Sequence, residues 1–415
     1  MFFGLLGQPC AGEVTFYKDV LPILQKRCQG CHRPGEIGPM PLLTYRQVRP
    51  WAAGIREAVT TRKMPPWFEE SSSLEFANNP SLASAEIKTV QSWVDSGSAE
   101  GIPMDAPPAP KWPNGWNIPS PDVVIEMPKP FVIPAKTEVD YQYIILKLGF
   151  AADRWIQMAE IRPGDRSVVH HAVLYVREPG SDWLRDVPPG VVYAPPHGDR
   201  EAKRKAAGTI ADILAIYTPG SRPAMFPAGM GKKIPAGSDL VLQIHYTARD
   251  KTIQDVTSIG LVMCADQPKK RVLTLQMGND TFVIPPGERN YRVAVSGTMP
   301  RDAMLLSLFP HMHLRGSAFE YQIIGDGGRV ETLLRVKPYD FFWQLSYELQ
   351  TPRLLRAGTR LLWVGYFDNS ADNPKNPDPM AEVSWGEQSR EEMMIGFFDI
   401  AVPGDIDKTT FFVRK

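Results

Sequence analysis

Forty prolines and thirty-three glycines punctuate these 415 residues, and this density of breakers constrains the fold more than any other feature. Proline removes a backbone donor and fixes φ, so many turns and short strands are expected and helix cannot dominate past the N-terminal part. From Asp122 onward, short runs rich in Val, Ile, Tyr and Phe alternate with Pro-Gly and Asp-Gly turns. The clearest are Tyr141 to Leu148, Val168 to Val176, Leu240 to Tyr246, Met304 to Phe309 and Leu361 to Phe367. Runs spaced so evenly predict antiparallel, jelly-roll-like all-β sandwiches. This part is too long for one sandwich, and the polar, strand-breaking Asp266-Gln267-Pro268-Lys269-Lys270-Arg271 is the natural division. The expected order is a domain over 1–100, a proline-rich spacer or strap over 101–121, and sandwiches over 122–269 and 270–415.

Residues 14–98 read as helical. Val14 to Lys26 carries apolar residues at helical spacing, and Trp51 to Arg62 is stopped by Met64-Pro65-Pro66. Ser84 to Asp95 has Ser84 as its cap and Gly97 just past its end. Beside the first helix lies Cys28-Gln29-Gly30-Cys31-His32. Both cysteines can form thioethers to haem vinyl groups, with His32 then placed as the proximal iron ligand. A zinc half-site would need a second ligand pair nearby, and the next histidine is His170. A thioredoxin-like pair would need a strand-helix context that is absent. The expectation is a small all-α cytochrome c domain carrying one haem c, with Met64 or Met40 as distal ligand. It has no spare histidine for an oxygen-activating pocket, so it reads as an electron carrier.

Positive and negative side chains balance at 46 each, which argues against nucleic acid as a partner. The one dense basic run, Arg200 to Lys205, reads as a solvated loop. Covalent haem c implies an exported, periplasmic protein, with the short apolar opening Met1 to Gly7 as the remnant of a truncated leader. No apolar stretch is long enough to span a bilayer. Cys10 and Cys264 are left as either a disulfide or two thiols.

The other histidines cluster as well. His170 and His171 are adjacent, His245 lies on the apolar strand Leu240 to Tyr246, and His311-Met312-His313 are spaced by two; His197 has no assigned role. On a strand, residues two apart share a face, so His311 and His313 can reach one ion. Adjacent histidines would point to opposite faces, so at His170-His171 the backbone must bulge or the rings must use different nitrogens. Imidazole suits copper and zinc, whereas thioether favours cuprous ion, which brings in Met393 or its neighbour Met394.

Val169-His170-His171-Ala172, Gln243-Ile244-His245-Tyr246, Pro310-His311-Met312-His313-Leu314 and Arg390-Glu391-Glu392-Met393 together resemble the copper type II, ascorbate-dependent monooxygenases. Peptidylglycine α-hydroxylating monooxygenase and dopamine β-monooxygenase typify that family. The resemblance runs over roughly 120–415 and preserves the family's order. It implies two jelly-roll-like domains with one copper on each, facing across a water-filled cleft. His170, His171 and His245 would hold an electron-transferring copper. His311, His313 and Met393 would hold the catalytic copper that meets dioxygen. Ile395 and Phe397 stand where the peptidylglycine branch has an Asn and a Tyr that grip its substrate, so this cleft is expected to be more apolar.

These readings converge on a copper-dependent monooxygenase. It would hydroxylate a C–H bond of a small organic or peptide-like substrate, its fused haem passing on electrons from an external redox protein or ascorbate-like reductant. The alternative is a periplasmic haem/copper electron-transfer or metal-handling protein without hydroxylase activity.

Overall fold

The structure, a computed structural model, describes residues 13–112, 115–137, 139–195, 212–408 and 411. His197, the basic run at 200–205 and Cys10 lie outside these residues. The chain divides into two compact units, Met1–Trp67 with Pro80–Trp112, and Phe68–Asn79 with Pro113–Lys415.

The expected small all-α cytochrome c domain is not what the N-terminal residues form. Helix is confined to short pieces: α1 (Leu21–Arg27), α2 (Tyr45–Val48), α3 (Ala52–Thr60) and α4 (Ser84–Asp95). Two physical reasons account for the correction. Gly30, Pro34, Gly35, Gly38, Pro39 and Pro41 fill the stretch between α1 and α2 with turns. Phe68–Asn79 leaves the unit altogether, and its Glu69–Ser71 strand pairs antiparallel with Val330–Val336 in the second unit. The predicted first helix forms, opening as a π-turn over Phe16–Val20 that runs directly into α1. Ser84 does not cap α4; Ala83 occupies that position, and its N–H donates to Glu86 Oε2 at 2.7 Å. Phe16, Val20, Leu24, Val48, Val90 and Trp93 make the small core.

The second unit is all β, as the run spacing predicts. The strands that matter to the site are β1 (Gln142–Lys147), β2 (Val169–Arg177), β3 (Asp212–Tyr217), β4 (Met230–Ile234), β5 (Asp239–Tyr246), β6 (Lys270–Asn279), β7 (Ala303–His311), β8 (Tyr347–Leu355) and β9 (Met394–Pro403). One five-stranded sheet has the order Val192–Tyr193, β1, β5, β2, β3. A nine-stranded sheet runs Val123–Glu126, Ser258–Met263, Arg154–Arg162, β4, β6, β9, β7, β8, with Ala224–Met225 at its side. It continues across the 266–271 segment because β6 pairs parallel with β4, Met230 opposite Lys270. Another five-stranded sheet closes the second half, from Glu69–Ser71 through Gly316–Ile324 and Arg360–Phe367 to Tyr291–Thr298.

Alternation sets the layers. Ile144, Leu146, Ala172, Leu174, Leu240 and Leu242 of the first sheet pack with Ile156, Ala159, Ile161, Ile259 and Leu261 of the nine-stranded sheet. In the second half Gly396 must lack a side chain: a methyl there would sit 2.7 Å from Trp363 Cδ1 and 3.0 Å from Tyr321 Cε1. Asn117 and Ile118 donate backbone N–H groups to the buried Glu160 carboxylate at 2.6 and 3.2 Å. Among the described residues no helix is long and apolar enough to cross a membrane.

Candidate metal centre

The His-His pair is resolved by a bulge. β2 pairs with β5 so that His171 faces His245, yet Val169 faces Tyr246. His170 is therefore the extra residue, turned from its expected face to the side of its neighbour. The two Nδ1 atoms come within 3.0 Å of each other, and ligand atoms of His170, His171 and His245 all lie within 4.8 Å of one another.

A hydrogen-bond partner fixes which nitrogen of the His170 ring carries the lone pair. A backbone carbonyl only accepts, so His170 Nε2–H donates to Phe341 O at 3.2 Å and leaves Nδ1 for a metal. His245 Nδ1 is buried and, among the described residues, has no hydrogen-bond partner. That is a costly state for a polar atom unless a metal fills it. The donor set thus fits a copper or zinc ion.

The second set is fixed the opposite way. His311 Nδ1 donates to Gln344 Oε1 at 2.6 Å and His313 Nδ1 to Glu391 O at 3.2 Å, leaving the lone pair of each ring on Nε2. β7 ends at His311, so regular strand geometry does not carry its face on to His313. Tyr339 does that work, its hydroxyl accepting from Met312 N at 2.9 Å and donating to Met312 O at 2.8 Å. Met312 points into the core beside Gly316 and Gly365. The two imidazoles stay together, their rings 5.2 Å apart and perpendicular.

Glu392 joins this turn to the methionine segment. It is fully buried; Oε2 accepts from His313 N at 2.9 Å and Oε1 from Arg315 N at 2.6 Å. Burial pushes its pKa up to about 8, against the backbone bonds and the Arg315 charge that pull it down. Buried Arg315 reaches Asn369 Oδ1 and Arg390 O, both at 2.7 Å. Met394 lies on the inner face, where a methyl on Gly365 would stand 3.0 Å from its Cγ. On the other face of β9, Ile395 is directly opposite His311, and the Phe397 ring is 6.4 Å from the His311 ring. Met393, buried, immediately precedes β9.

The resemblance implies a water-filled cleft between the histidine sets. Here the His171 and His311 rings lie 5.9 Å apart, and Phe341 stands between the other members, stacked on His170 at 4.4 Å and edge-on to His313 at 6.0 Å. All five imidazoles are buried. Desolvation holds His170 and His311 down to about 4 and His245 to about 3, with His171 and His313 also far below the ordinary histidine range. They are neutral at pH 7, as metal ligands must be.

Cys28, Cys31 and His32 follow α1 in the other unit. His32 Nδ1 donates to Met40 O at 3.1 Å, so Nε2 carries its lone pair. Burial pushes the Cys28 thiol up to about 12. Gly38 is obligatory, since a methyl there would sit 2.8 Å from His32 Nδ1. Met64 lies after α3, its N–H donating to Ala58 O at 3.2 Å.

Sequence reasoning missed Tyr339, Phe341, Gln344 and the role of Glu392. The first three belong to Pro338-Tyr339-Asp340-Phe341-Phe342-Trp343-Gln344, an aromatic-dense loop. That density in a segment without strand alternation was the available signal.

No protein-family profile matches the chain. The DBH-like monooxygenase protein 2 of Mus musculus is 23% identical over 216 residues, covering 48% of this chain and 33% of that protein. The chain thus spans about a third of the length of that relative. Among solved structures, the major capsid protein P2 of bacteriophage PM2 covers 68% of this chain and 97% of its own, at 10% identity and TM-score 0.26. A peptide-N(4)-(N-acetyl-β-D-glucosaminyl) asparagine amidase covers 67% and 97%, at 9% identity and TM-score 0.29. Scores this low establish no common fold. The chain is distantly similar to a monooxygenase, and its His170, His171 and His245 could hold a metal ion.

Proposed function

We propose that this chain is a copper-dependent monooxygenase that inserts one oxygen atom of dioxygen into a C–H bond of a small organic or peptide-like substrate. The observation that carries the reading is the set of five neutral, buried imidazoles. Three have their lone-pair nitrogen fixed by an acceptor on the opposite ring nitrogen, and a fourth buries an unpartnered Nδ1. His170, His171 and His245 would hold one copper; His311, His313 and Met393 would hold the other. Bound copper would supply one-electron storage at each ion, matching the two electrons that insertion of a single oxygen atom consumes. The chain's own residues then have definite tasks. Gln344, Glu391 and Phe341 O hold the imidazole tautomers, Glu392 fixes the turn carrying His313, and Ile395 with Phe397 presents an apolar wall beside His311. Met394, facing the core, is the weaker candidate for the thioether.

The same proposal includes a haem c held by Cys28, Cys31 and His32, fed by an external reductant, in an exported protein. His32 would hold the iron through Nε2, its Nδ1 being tied to Met40 O, and the thioether of Met64 or Met40 would be the second iron ligand. The test is copper-loaded protein reduced anaerobically at the haem and given labelled dioxygen with cell extract. Reoxidation of the haem together with incorporation of a single labelled oxygen atom supports the reading. Reoxidation without incorporation supports an electron-transfer or metal-handling protein instead.

A further inference from the structure

The loop that sets the ligand tautomers also joins the two histidine sets. Pro338 to Gln344 has no strand period, and two anchors hold it between sheets. Thr218, next after β3, donates its Oγ1 hydrogen to Gln344 O at 2.6 Å. At the other anchor the Tyr339 hydroxyl bonds both backbone groups of Met312, just past the end of β7. β3 pairs with β2, which carries His170 and His171, whereas β7 ends at His311. The loop is therefore fastened to the strand pair of one set and to the turn of the other.

Its polar atoms make one continuous chain. His170 Nε2–H donates to Phe341 O at 3.2 Å, Gln344 Nε2 donates to the same oxygen at 3.1 Å, and His311 Nδ1–H donates to Gln344 Oε1 at 2.6 Å. The carbonyl only accepts, so the Gln344 NH2 must face it and Oε1 must face His311. Three hydrogen bonds thus link a ligand of one set to a ligand of the other. Gln344 is 2% exposed, and His170, Phe341 and His311 are buried as well, so water neither interrupts nor screens the chain. With an ion on His170 Nδ1, Nε2–H becomes a stronger donor and draws on the Phe341 oxygen, which then accepts less well from Gln344. An amide that donates less also accepts less well. The His311 ring then loses part of the support that keeps its Nε2 basic.

We propose that Gln344, with the Phe341 carbonyl, is a positioning relay through which an ion at either histidine set weakens the hold of the other set. The coupling is reciprocal, because a free energy shared by two binding sites is the same seen from either. It rests on the reading of both sets as metal sites, and not on oxygen insertion.

The full chain, labelled with nitrogen-15 at glutamine and histidine, tests the relay by nuclear magnetic resonance, with zinc as a diamagnetic probe and occupancy read from the ring resonances. Zinc at the His170 set should move the Gln344 amide proton bonded to Phe341 O upfield. Cuprous ion, titrated anaerobically against a competing chelator, should bind the His311 set about fivefold or more weakly once zinc fills the first set. Gln344→Leu and Gln344→Met remove the chain but not the neighbouring His171 and His311 rings, so each should reduce that coupling. The Gln344 resonance of the parent chain carries the test even where neither variant folds. Zinc bound at the His170 set with the Gln344 amide unmoved, or coupling of equal size in the variants, overturns the relay and leaves the metal sites standing. No zinc at the His170 set overturns the metal reading and the relay together.

Discussion

Replacing Glu392 by alanine should loosen the His-x-His turn from the methionine segment, and the cost follows from the contacts. The carboxylate takes two buried backbone N–H groups, those of His313 and Arg315. Each orphaned donor costs about 1–3 kcal/mol. Glu392→Ala should therefore destabilise the β unit by about 2–6 kcal/mol, a large share of the roughly 5–15 kcal/mol that holds a typical domain. Glu392→Gln keeps one acceptor but turns an NH2 toward the other N–H, so its loss should be intermediate. Urea unfolding followed by near-UV circular dichroism measures this as a fall in midpoint at constant slope. Copper titration should show affinity at the His311–His313 set about 10–100-fold weaker, as for other residues that orient ligands. A Glu392→Ala midpoint within about 0.5 kcal/mol of the parent, with copper affinity unchanged, would refute the role given to this carboxylate.

Other outcomes follow from the same geometry. Gln344→Leu removes the acceptor for His311 Nδ1–H and should weaken copper at that set about 10–100-fold while the His170 set is affected less; equal loss at both, read by electron paramagnetic resonance, would contradict it. Met393→Leu should abolish oxygen insertion with little change in stability, whereas Met394→Leu should cost stability alone; the reverse pattern exchanges the two residues. The buried histidines set a pH dependence. The folded protein keeps His170 and His311 neutral down to about 4 and His245 to about 3, while the unfolded chain takes protons from about 6.5 downward. Stability of the copper-free protein should therefore fall as pH drops from about 6.5 toward 3, and a urea midpoint that is flat or rising over that interval would sink the assignment. Met64→Ala should change the haem spectrum if haem is attached at Cys28 and Cys31, and an unaltered spectrum would return the distal role to Met40 or an open position.

The donor inventory and the material of the fold are legible in the amino-acid sequence. Breaker density and alternating apolar runs specify a β-rich second unit, because period-two patterning and frequent turns act locally. The histidine spacings single out the candidate ligand residues, and for His170 and His171 to share an ion they call for either a bulge or the use of different ring nitrogens, since adjacent strand residues point to opposite faces. What local pattern could not settle is where distant segments meet. Phe68–Asn79 was read with the helices, yet its backbone pairs with Val330–Val336, more than two hundred and fifty residues away. The tautomers of His170 and His311 depend on Phe341 and Gln344, in a loop without periodicity that only long-range packing brings to them. Glu392 is an unremarkable acid in the sequence; burial beside Arg315 and the turn at His313 makes it the tie of the site. The contact between His171 and His311 is likewise a product of tertiary structure, because sequence spacing fixes which rings can share an ion but not how near two halves of a β unit bring them.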